Sequence, residues 1–99
     1  MYVVLEWNEY HKHNPRARGH ICLTEDVALA LAVGSDEIIA VETWVEAQRL
    51  VDAFGVMARA AWAPNQSPTE RAANSATWRE AFRVVECARI RARDRKEAR

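Results

Sequence analysis

Glycine, proline and cysteine are scarce in this chain: three, three and two in 99 residues. So few Gly and Pro, with 49% apolar and 28% charged residues, exclude a low-complexity or disordered chain and predict a folded one. Cys22 and Cys87 lack any paired spacing, which speaks against a disulfide framework and a zinc ribbon. Long hydrophobic runs are missing too. The start, "MYVVLEWNEY", has four consecutive apolar residues after Met1 and no basic leader, and no run approaches the roughly 18 that span a bilayer. A cytoplasmic protein with no membrane segment is expected. There is no glycine-rich phosphate loop, no nucleophile elbow and no HExxH pair, so no catalytic residue and no cofactor is assigned. Cys87 lies one turn from Arg83 and Arg91, but Glu86 is adjacent and no histidine shares its helix, which predicts a buried or inert thiol.

At this length the chain makes one domain, residues 1–99, with a small core that buries about 60 to 65% of the unfolded surface. In "YVVLEWNEY", Val3, Leu5 and Trp7 alternate with positions that turn polar at Glu6 and Asn8, which predicts a strand over Tyr2–Tyr10. "NPRARG" reads as a loop and "HICLT" as a return strand. "VALALAVG" supports two readings. Alternating Val27, Leu29, Leu31 and Val33 favour a strand, turned by Gly34 and Ser35 into strand-like "EIIAVE"; this meander is preferred. The intervening alanines suit instead a short helix capped by Thr24 and closed by Gly34.

The clearest element is "TWVEAQRLVDAFG", where Thr43 and Glu46 form a capping box and Ala47, Leu50, Val51 and Phe54 make one apolar stripe. Gly55 fits a C-terminal cap with a new short segment after it, but continuation into "VMARAAWA" with a kink is preferred, because Ala and Arg favour helix. Ser67, Pro68 and Glu70 then open another helix, with Trp78, Ala81, Phe82, Val85 and Ala88 on one side. That side turns basic at Arg89, Arg93 and Lys96, so the end of the chain, about 89–99, is expected to project from the core. The expected fold class is α+β: an N-terminal antiparallel sheet of three or four strands packed against two C-terminal helices. A small core, four tryptophans and a projecting helix make a homodimer an expected assembly.

Net charge is zero, but its sign is uneven. Residues 24–52 carry seven acids against one base, and residues 53–99 carry ten bases against five acids. Glu25, Asp26, Asp36, Glu37, Glu42 and Glu46 could present an acidic surface that imitates nucleic-acid phosphates to a basic partner. Lys12, Arg16 and Arg18 in the loop and Arg89, Arg93 and Lys96 on the last helix are candidate phosphate contacts. Tyr10, Trp44, Trp62 and Ile90 fall off the core stripes and are candidate anchors for a partner.

All three histidines fall in "HKHNPRARGH", two residues before Cys22, where a metal site suggests itself. Pattern parity argues against it. Burying Val3, Leu5 and Trp7 with Ile21 and Leu23 requires paired positions that sum to an even number, which sends His11 and His13 to one face and His20 and Cys22 to the other. The function expected from these features is a non-enzymatic interaction module with a protein partner, of the kind that docks on and occludes a nucleic-acid-handling complex. The alternative is a small nucleic-acid-binding regulator that uses residues 12–18 and the basic last helix.

Overall fold

The computed structural model describes residues 1–98. Its elements run β1 (Tyr2–Leu5), α1 (Trp7–His11), β2 (Gly19–Cys22), α2 (Glu25–Leu31), β3 (Glu37–Ala40), α3 (Trp44–Ala61) and α4 (Pro68–Glu97). The architecture is α+β, as the pattern of elements predicts. The three strands are ordered β2-β1-β3, with β1 in the middle and antiparallel to both neighbours. Each pair alternates the faces of β1. Val3, Leu5, Ile21 and Ile39 meet α3 and α4 in the larger core, around Phe54, Leu50 and Met57. Val4 and Cys22 meet Ala28 of α2 in a smaller one. Pairs such as Val3↔Ile21 sum to an even number, the register that buries Val3 and Leu5 with Ile21; Leu23, expected on the same buried face, instead lies beyond the end of β2 and is 73% exposed.

Two expected elements are corrected. The first strand ends at Leu5 rather than Tyr10, because the apolar spacing changes from two to three after Trp7. One turn of helix lets Trp7 and Tyr10 both reach Phe54, with ring centroids 4.8 and 6.0 Å away, and Trp7 meets Tyr10 edge-on at 5.1 Å. Asp36 accepts the amide of Asn8 at 3.0 Å, so a residue from a distant turn caps this helix. The second correction is the meander: residues 25–31 are helical, with Thr24 accepting the amide of Val27 at 3.3 Å. The segment therefore crosses over β1 and joins the two edge strands. Gly34 lies beyond the helix at φ +57, in a turn where Asp36 donates its amide to Val33 and takes Val33's amide on its carboxylate.

Helix α3 runs unbroken through Gly55, as expected, with Thr43 accepting from Glu46. Where α3 crosses the sheet, Gly19 allows the approach: a Cβ there would lie 3.1 Å from a Val51 methyl. Helix α4 is capped by Ser67, with Pro68 in its first turn. Its 30 residues make about 45 Å at 1.5 Å per residue, which matches the molecule's 47 Å long axis.

The overhang lies at the amino end of α4. Residues Pro68–Thr77 are exposed apart from half-buried Asn74, whereas Ala88 is buried, Ala92 is half-buried and Arg95 bonds the Ala40 carbonyl at 2.8 Å. The expected projection of residues 89–99 thus gives way to contact with the body as far as Arg95, because alanines at 88 and 92 let the helix stay close. Arg99 lies outside the described residues.

Candidate functional site

Part of the uneven charge resolves within the chain, where three arginines of α4 meet three acids of residues 37–46. Arg89 grips Glu37 through Nε and Nη2, each 2.7 Å from a carboxylate oxygen, and also bonds Glu86. Trp7 donates its indole N–H to the same Glu37 at 2.8 Å, and the Arg89 guanidinium lies 5.5 Å from the Trp7 ring. The hydrogen bonds that Arg89 donates to Glu37 raise its pKa above the ordinary value, against a smaller opposing effect of burial.

Glu46 takes Arg91 at 3.4 Å and Arg95 at 3.6 Å, and Arg95 also reaches Glu42 at 3.3 Å. Burial pushes the Glu46 carboxyl up, but the Glu42 amide together with Arg95 and Arg91 outweighs it and holds the pKa below the usual value. Of the six acids expected on one docking surface, Glu37, Glu42 and Glu46 are therefore occupied by arginines of α4. Asp36 is taken up by the turn and by the cap of α1. Only Glu25 and Asp26, in the first turn of α2, remain as an exposed pair, with Glu25 accepting the Tyr2 hydroxyl at 3.3 Å.

The candidate cations disperse as well. Arg89 is spent on Glu37, Arg93 lies 3.7 Å from Asp94, and Lys12 lies 3.5 Å from Glu9. Arg16 and Arg18 are exposed, but their backbone is pinned: Arg16 donates its amide to the Asn14 side chain and Arg18 donates its amide to Glu6. Lys96 is exposed and makes no ion pair among the described residues.

The histidines separate: His11 stacks on Trp7, His13 stacks on Trp62 at 4.0 Å, and His20 lies 3.5 Å from Glu6. No group of three metal-ligating side chains forms among the described residues. Two of the four aromatic or apolar anchor candidates point inward. Tyr10 is buried and accepts the Trp78 indole N–H at 2.9 Å, and Trp62 is half-buried between His13 and Tyr10. Trp44 and Ile90 are exposed, on separate helices.

The surface that sequence reasoning missed is α2. Leu23, Val27, Leu29, Leu31 and Val33 are 43% to 73% exposed, five large apolar side chains from eleven residues. An ordinary amphipathic helix buries its large residues. This one turns Ala28 and Ala32 toward Val4 and Cys22 and leaves the bulky ones outside. Within the helix Val27 and Leu31 are four apart on one flank and Leu29 lies on the other, while Leu23 precedes the helix and Val33 follows it. The signal was the alternation in "VALALAV": on a strand it marks one buried face, but on a helix it spreads large side chains around the exposed arc.

Among the described residues no helix is long and apolar enough to cross a membrane. No protein-family model, curated protein or solved structure matches the chain.

Proposed function

We propose that this chain is a small protein-interaction module that docks through the outer face of α2. The observation that carries this reading is the inverted helix: alanines inward, five large aliphatic side chains in water. Exposing that much apolar surface within eleven residues is costly to solubility, and such concentrations mark interaction sites more than scattered single residues do. Glu25 and Asp26 border the patch with negative charge, which suits a partner that carries cations around an apolar centre. Partner recognition by an extended acidic imitation of nucleic acid loses support, because three of its six carboxylates are neutralised by α4.

A photo-crosslinking residue placed at Val27 or Leu31 in the native host tests the reading. A discrete crosslinked product is expected from both positions and not from Ala73 on the overhang of α4. No product at α2, or the same product from Ala73, rules the docking face out.

A further inference from the structure

Beside α2 the sheet leaves a groove of about 450 Å³. Its floor is Tyr2, Ile38 and Ala40, its walls are Leu29 on one side and Arg95 with Lys96 on the other, and Glu25 closes the α2 end. Register defines what the edge of β3 offers. Val41 donates its amide to the Met1 carbonyl at 2.9 Å, so Val3↔Ile39 and Leu5↔Glu37 are the hydrogen-bonded pairs of this ladder. The N–H and C=O groups of Ile38 and Ala40 consequently point away from β1. Arg95 holds the Ala40 carbonyl, while the Ile38 N–H and C=O have no partner among the described residues. An unpaired edge beside a trough of mixed apolar and charged side chains is a template for an added strand.

The geometry points to this groove as the docking site for an extended segment of a partner protein that pairs with Ile38 at the edge of β3 and places an acidic side chain against Lys96. Alternate side chains of the added strand face the α2 side of the sheet, where Ile38, Ala40 and Leu29 receive apolar groups. Charge selects the end. Arg95 is shared between Glu42 and Glu46, which leaves Lys96 as the groove's cation without a carboxylate among the described residues. This inference rests on the reading of the chain as an interaction module, but it uses the β3 side of α2 rather than the flank that carries Val27 and Leu31.

The test is selection of random peptides, about eight residues long to match a strand, displayed against the full chain. Enriched peptides are expected to alternate apolar residues and to carry Asp or Glu near one end. Binding of such a peptide should slow hydrogen exchange at the Ile38 amide, weaken about tenfold on Lys96→Glu and be unchanged by Val27→Asp. No enrichment, equal affinity for Lys96→Glu, or an unprotected Ile38 amide overturns the proposal. So does protection of Ile38 that rises with protein concentration alone, which would give the groove to a second copy. Peptides lost on Val27→Asp but not on Lys96→Glu would move the site to the outer flank of α2, leaving the interaction reading intact and this groove excluded.

Discussion

Arg89 and Glu37 are joined through two nitrogens and two oxygens, each contact 2.7 Å, across 52 positions of chain. This fork ties the last helix to the edge strand β3, and Trp7 completes it from the first helix by donating to the same carboxylate. Three elements far apart in sequence thus depend on one acid.

Arg89→Ala is expected to destabilise the fold. Hydrogen bonds to charged groups contribute about 1.5 to 3 kcal/mol, and with both side chains about one-third exposed a cost of about 1 to 2 kcal/mol is appropriate. Thermal unfolding followed by circular dichroism should show a melting temperature lower by roughly 5 to 15 °C. Arg89→Lys should recover only part of it, because an ammonium cannot make the two-pronged contact.

Stability should fall with acid in a way that depends on Glu46. Its pKa is lowered in the folded state, so its contribution is present above the unfolded value and lost as pH falls through the folded one. Urea midpoints measured from pH 7 down to pH 3 should decline from about pH 5 in the wild type. The decline should be smaller in Glu46→Gln; an identical slope would show that Arg91 and Arg95 do not act on this carboxylate.

Truncation should separate the two classes of leucine. Leu50→Ala removes a fully buried side chain from the larger core and should cost about 2 to 5 kcal/mol. Leu29→Ala and Leu31→Ala should each cost less, under about 1.5 kcal/mol, since these residues are already 58% and 43% exposed. Chemical denaturation of the three variants decides it, and a cost at Leu31 equal to that at Leu50 would mean that the outer face of α2 is not exposed in solution.

Gly34→Ala should destabilise the turn between α2 and β3. The residue sits at φ +57, where a left-handed conformation costs a non-glycine residue about 1 to 2 kcal/mol, and its new Cβ would meet Asn8 Oδ1 at 2.7 Å. The double variant Gly34→Ala with Asn8→Ala should regain the part due to the clash and keep the part due to the backbone, a difference readable in melting temperatures.

Much of the architecture is local and so was legible. Capping residues Thr43 and Ser67, Pro68 at a helix start and the stripe from Trp78 to Ala88 act within a few positions of themselves, and helix starts and faces follow from them. The pairing parity of β1 with β2 was legible for the same reason, since only one register buries Val3 and Leu5 with Ile21. Three features needed the assembled fold. Trp7 continues the alternation of a strand but turns into a helix because Phe54, 47 positions away, offers a site that Trp7 and Tyr10 fill together. Residues 25–31 had patterns for both strand and helix, and what decided was that the sheet already had β3 beside β1, leaving the segment to cross over with its small alanines inward. Charges also look local in a sequence, yet Glu37, Glu42 and Glu46 find their partners on α4, at separations set by how helices pack. Short-range chemistry therefore determined the elements of this protein, and tertiary packing decided which of its charges and large apolar side chains remain to meet a partner.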